Sequence, residues 1–228
     1  MYTETLTLAN GVKIPQLGLG TWFIDDANAA EAVKAAAKLG YRHFDTAQAY
    51  GNERGVGEGV RSCGVAREEL FVVSKVAAEH KTYEAAKASI DATLQKMGLD
   101  YLDMMIIHSP QPWDKVNQCE DRYVEGNRAA WRALEEAYKE GKLRAIGVSN
   151  FQIGDLNSLL EGCTVKPMVN QILLHISNTP LELVEFCQNN GIAVEAYSPI
   201  AHGESLHQPE IQAMAEKYGV AVPQLCIR

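Results

Sequence analysis

The chain of 228 residues carries only five cysteines, Cys63, Cys119, Cys163, Cys187 and Cys226, and no two form a C-x-x-C pair. That odd, scattered set excludes a disulfide framework and a cysteine zinc site, and fits a reducing compartment. Basic residues are also in short supply. Twenty-one Lys and Arg against 29 Asp and Glu leave a net charge of -8, so a groove built to neutralise nucleic-acid phosphates is not expected. No apolar run reaches the ~18–20 residues of a membrane span. The start, MYTETLTLANG, is polar and alternating, unlike a signal or transit peptide. Together these features predict a cytoplasmic protein that engages neither nucleic acid nor membrane. A dinucleotide fingerprint is missing too. Gly18-Leu19-Gly20 would need glycine at 23, where Phe23 stands.

What the chain does have is a rhythm. Asn10-Gly11 between two alternating runs predicts an N-terminal β-hairpin. Strand-like segments follow at 17–22, 43–47, 71–76, 104–109, 145–150, 167–172 and 193–198. Helical patterns lie between them, clearest at 27–39, 82–97, 127–141 and 181–190, with Gly40, Gly98, Gly141 and Gly191 placed to end them. Trp131, Leu134, Ala137 and Tyr138 recur at helical spacing, a stripe that packs on a core. Seven βα units without a linker predict one α/β domain over 1–228 with parallel strands. Polar residues gather at the ends of strands two to seven rather than at one switch point. That favours a closed (β/α)8 TIM barrel over an open sheet. After the seventh strand come short helices at 209–218 and 223–228. An eighth strand is then expected beyond Arg228, so the sequence reads as truncated before it.

Asp45, Tyr50, Lys75 and His108 stand at or just past four such strand ends or in the loops after them. In a parallel barrel these ends meet on one rim, where the fold carries its catalysis. Tyrosine has a pKa near ~10 and is a poor acid at neutral pH. A nearby ammonium would favour its phenolate, so Lys75 is expected to lower it, with Asp45 holding Lys75 charged. His108 can orient a carbonyl oxygen while Tyr50 protonates it. None of the four can deliver a hydride, so a redox role requires a nicotinamide cofactor. Taken one at a time, each has a bland reading as a capped turn, a solvated amine or a bonded core histidine. His43 is read as structural, lower on the same face as Asp45. His202, Glu204 and His207 are read as a mobile polar loop, and no metal site is expected.

Taken in order, DTAQAYGNE, VSKV, IIHSP, GVSNF, NQI and AYSPI resemble the aldo-keto reductase superfamily over essentially the whole chain. The resemblance implies NAD(P)H-dependent reduction of small aldehydes or ketones, with Asp45, Tyr50, Lys75 and His108 as the catalytic tetrad and Tyr50 as general acid. It implies a cofactor site of Thr21, Ser149, Asn150, Gln171, Tyr197, Ser198 and Pro199, with Tyr197 the platform for the nicotinamide ring. NADP(H) is implied ahead of NAD(H) by the resemblance alone, because the segment that grips the 2′-phosphate in the family would lie beyond Arg228. Trp22, Phe23 and Trp113 are expected to wall the substrate pocket. The pattern departs from the family at Ser109, where tryptophan is common, and at Leu173, His175 and Ile176. The partner is expected to be a small carbonyl compound and the protein a monomer or weak homo-oligomer. A non-catalytic nicotinamide-nucleotide-binding sensor or regulatory subunit is the alternative.

Overall fold

A computed structural model describes residues 4–116 and 118–227. The hairpin comes first, β1 (Thr5–Thr7) antiparallel to β2 (Lys13–Pro15). Then the chain alternates: β3 (Gly18–Gly20), α1 (Asp26–Leu39), β4 (His43–Asp45), α2 (Glu53–Ser62), β5 (Phe71–Val76), α3 (Tyr83–Met97), β6 (Met104–Ile107), α4 (Val124–Lys139), β7 (Ile146–Ser149), α5 (Ile153–Leu160), β8 (Val169–Leu173), α6 (Leu181–Asn189) and β9 (Ala193–Tyr197). Two further helices, α7 (Pro209–Tyr218) and α8 (Val222–Cys226), close the described chain.

Strands β3 to β9 form one parallel sheet in sequence order. The sheet is a nearly closed barrel of seven strands with flanking helices. Its curl is visible in contacts over the interior. Gln171 on β8 donates to Asp45 Oδ2 on β4 at 3.0 Å, and Glu195 on β9 comes within 3.7 Å of His43 on β4. The middle strands β5, β6 and β7 are buried along their length, whereas β3 and β9 at the two edges are not. A strand covered on both faces reads as a near-continuous apolar run, which is why Phe71–Val76 and Met104–Ile107 are legible in the sequence.

Helix ends follow local chemistry. Thr82 caps α3 by accepting from Ala85 N at 3.2 Å, and Gly98 ends it with φ 63°. Two helices differ from expectation. α4 begins at Val124 rather than 127, because Asn127 does not cap it. Its side chain instead donates to the Pro110 and Arg122 carbonyls, both at 3.0 Å. The eight-residue α5 was not expected. Asp155 starts it by accepting from Gln152 N at 2.9 Å.

Helix α2 is glycine-rich for a packing reason. A Cβ at Gly55 would stand 2.1 Å from the Asp26 carbonyl oxygen of α1, and one at Gly57 would stand 2.2 Å from the Met97 carbonyl oxygen of α3. Only glycine lets the three backbones approach this closely. In an open helix, Gly→Ala gains about 1 kcal/mol. At Gly57 the clash wins, because overpacking costs about 1–3 kcal/mol. Gly57→Ala is therefore expected to lower the melting temperature by several degrees, read by calorimetry, and an unchanged or higher value would refute the close approach.

Candidate active site

The end of β4 builds the site. Asp45 closes the strand, and a 3-10 turn at Gln48–Tyr50 folds the chain back over it. Gln48 fixes that turn, donating to Ser89 O and Thr93 Oγ1, both at 3.0 Å, and accepting from Ala77 N at 2.9 Å. Asn52 is fully buried just beyond. It accepts from Thr46 Oγ1 at 2.6 Å and donates to the Thr21 and Ile24 carbonyls at 2.9 and 2.8 Å. The loop carrying Trp22 and Phe23 is thereby pinned to the segment carrying Tyr50.

Lys75 lies on β5 with no solvent exposure. Its ammonium donates to Asp45 Oδ1, to Thr46 O at 3.0 Å and to Tyr50 OH at 3.3 Å. The expected phenol–amine hydrogen bond is present. Burial acts to lower the Lys75 pKa, but Asp45 with Tyr50 reverses this and holds it above the ordinary lysine value. Tyr50 corrects the acidity expectation. Burial, the largest influence, raises its pKa, and the opposing pull of Lys75 offsets only part of the rise. The phenol keeps its proton at neutral pH.

His108 follows β6, buried, with its ring edge-on to Tyr50 (centroids 5.6 Å apart) and perpendicular to Trp113 at 4.9 Å. Burial, then the Lys75 charge, pushes its pKa down to about 3, so the imidazole is neutral. Its Nδ1 is buried and has no hydrogen-bond partner among the described residues.

Around this tetrad the rim is aromatic. Trp22 is 50% exposed, Phe23 82% and Trp113 42%, large values for such side chains. Trp22 stacks on Phe23 at 4.1 Å and lies 6.4 Å from the Tyr50 ring. Phe23 has φ 65°, a strained backbone of the kind that gathers at functional sites. The 202–207 stretch, expected as a mobile loop, is short 3-10 turns kinked at His202 (φ 54°) and Gly203 (φ 99°), with Ala201 and Ser205 buried, and His202 sets its ring edge on Trp22 at 5.6 Å.

Polar residues line the ends of β7, β8 and β9. Ser149 Oγ donates to Gln171 O at 2.8 Å. Asn150 Nδ2 donates to His108 O at 3.0 Å, and its Oδ1 accepts from Tyr197 OH at 2.9 Å. Asn150 and Ser198 both have positive φ, 63° and 51°, and Pro199 follows, half-buried. Thr21 sits fully buried, its hydroxyl donated to Asp45 O at 2.9 Å. Gln171 reaches inward to Asp45, as noted. A hydroxyl, two amides and a phenol in one patch beside the tetrad suit a nicotinamide carboxamide and ring.

The sequence profile of the Aldo/keto reductase family matches residues 16–217. The chain belongs to the aldo/keto reductase family. It is 45% identical over 226 residues to a glyoxal reductase of Bacillus subtilis, covering 99% of this chain and 78% of that protein. Among solved structures, an aldo/keto reductase from Brucella melitensis superposes with a TM-score of 0.90 at 38% identity, covering 99% of this chain and 83% of the other. A Bombyx mori aldo-keto reductase in complex with NADP gives 0.85 at 31% identity, covering 99% and 79%.

In this aldo/keto reductase Asp45, Tyr50, Lys75 and His108 lie together, with Trp22 and Trp113 beside them and Phe23 stacked on Trp22. Gln48, Asn52 and Glu195, which the sequence did not single out, lie around them. The first two lie inside the DTAQAYGNE motif, which gave them no role. Glu195 had a signal of its own, a carboxylate in the middle of an otherwise apolar strand. His43, two residues before Asp45 on β4, has Nδ1 3.3 Å from Pro15 O. Among the described residues no helix is long and apolar enough to cross a membrane.

Proposed function

We propose that this oxidoreductase reduces small aldehydes or ketones to alcohols at the expense of NADP(H) in preference to NAD(H), with Tyr50 as the general acid. One observation carries the reading: a phenol hydrogen-bonded at 3.3 Å to a fully buried ammonium, beside a neutral imidazole and under an aromatic rim.

Ser149, Asn150 and Gln171 would hold the nicotinamide carboxamide, with Thr21 behind them. Tyr197 would carry the ring, and Ser198 and Pro199 would begin the phosphate path. When bound, the reduced nicotinamide supplies the hydride. The neutral His108 donates a ring N–H to the carbonyl oxygen and orients it. Tyr50 gives that oxygen its proton as charge develops there. An alkoxide is far more basic than a phenolate, so even a phenol with a raised pKa donates downhill. Lys75 stabilises the phenolate left behind, and Asp45 keeps Lys75 charged. Trp22, Phe23 and Trp113 exclude water and give an apolar substrate its footing. The kinship to a glyoxal reductase supports a small carbonyl substrate, and the NADP complex of the Bombyx mori relative supports the cofactor.

The test is NADPH consumption by the purified protein with a panel of dicarbonyls, simple aldehydes and ketones. Turnover with stoichiometric alcohol is expected, faster than with NADH. Because His108 stays neutral down to about pH 3, the rate should show no inflection in the ordinary imidazole range. Nucleotide binding without any consumption would support the sensor or regulatory subunit instead.

A further inference from the structure

Beneath the tetrad the barrel holds a second polar layer that carbonyl reduction, as described, does not use. Glu195 sits at the middle of β9, in register with Gln171 on β8. Across the interior, His43 Nε2 lies 3.7 Å from Glu195 Oε1. His43 Nε2 and Glu195 Oε2 are both buried and have no hydrogen-bond partner among the described residues. Orphaned buried polar atoms are costly and call for an explanation.

The pair is connected upward. Gln171 donates to Asp45 Oδ2 at 3.0 Å and stands beside Glu195 in the β8–β9 register. The charged and titratable groups facing Glu195 are His43 and Asp45 from β4, Tyr50 from the turn after β4, and Lys75 from β5. Burial pushes the Glu195 carboxyl above the usual carboxylate range. His43 opposes this, Asp45 adds to it, and Lys75 opposes it more weakly. The influence is mutual, for a Glu195 carboxylate is among the groups that strengthen the hold of Tyr50 on its proton.

We propose that Glu195 is a positioning residue for the reduction: with His43 it carries a titratable negative charge below Asp45, linked to it by Gln171, and that charge governs how readily Tyr50 parts with its proton. The inference rests on Tyr50 being the acid. It adds a fifth ionisable side chain that acts through the tetrad rather than on substrate.

The experiment compares the pH dependence of kcat for reduction in the wild type and in Glu195→Gln, which keeps the shape and removes the charge. Reduction needs the protonated phenol, so the rate falls as pH rises through the Tyr50 titration. With the carboxylate gone, that fall should move to lower pH by roughly one unit, the scale of one charge across a partly screened interior. Glu195→Asp, which keeps the charge, should restore most of the wild-type position. If Glu195→Gln does not fold, Glu195→Ala removes the same charge and should move the fall in the same direction. An unmoved fall in the folded variant overturns the proposal. Tyr50→Phe separates the two ideas. If that variant turns over normally, the tyrosine assignment is what fails; if it is inactive while Glu195→Gln is unshifted, the Glu195 proposal alone fails.

Discussion

Tyr50→Phe is expected to lower kcat for carbonyl reduction by about 10²–10⁴-fold, the usual worth of a positioned general acid. The substitution removes one oxygen and little else. The ring keeps its edge contact with His108 and its stacking neighbour Trp22. Lys75 loses one of three acceptors but retains Asp45 and the Thr46 carbonyl, so the buried ammonium stays compensated. Stability and nucleotide affinity should therefore change little, which a fluorescence titration beside steady-state kinetics would reveal. Undiminished turnover would remove the phenol from the mechanism.

Lys75→Met should be more damaging, because it acts on stability and chemistry together. The variant leaves the Asp45 carboxylate, 8% exposed, without its cation. Removing one partner of a buried ion pair typically costs about 3–5 kcal/mol. A chain of this size loses about 2–4 °C of melting temperature per kcal/mol, so a drop of roughly 10 °C is expected by calorimetry. Turnover should fall by at least about 10²-fold as the phenolate loses its counter-charge. Asp45→Asn in the same chain should recover part of the stability, since the orphaned charge is gone, but none of the rate. Full recovery of both would show the pair to be mere filling. The pH dependence has a definite sign. The Lys75 pKa is raised in the folded state, so its stabilisation is fully present below the ordinary lysine value and is lost as pH climbs through the elevated one. Lys75→Met should lose that alkaline dependence.

The tetrad was legible in the sequence because four chemically distinct side chains sit at four strand ends, and a parallel barrel gathers such ends by construction. The direction of the Tyr50 acidity was not. It is a contest between burial and one ammonium, and burial depends on the packing of the 3-10 turn, which no local pattern records. Gln48 and Asn52 were hidden for a related reason. An amide in a loop looks alike whether it faces water or, as with Asn52, bonds three other residues from a fully buried position. Helix α5 is two turns long and starts on a side-chain contact, too short for periodicity to declare it. Helix α2 carries three glycines that argue against a helix, and only the proximity of α1 and α3 explains them.

The hydrogen bonds of Asn52 have a consequence for how this enzyme can change. They go to the main-chain carbonyls of Thr21 and Ile24, on either side of Trp22 and Phe23, and to neither ring. The frame of that aromatic pair is thus secured to the segment carrying Tyr50, while its two side chains remain free variables. Under the proposed function, single replacements at 22 and 23 are expected to shift the preference among carbonyl compounds while Tyr50 stays where it is.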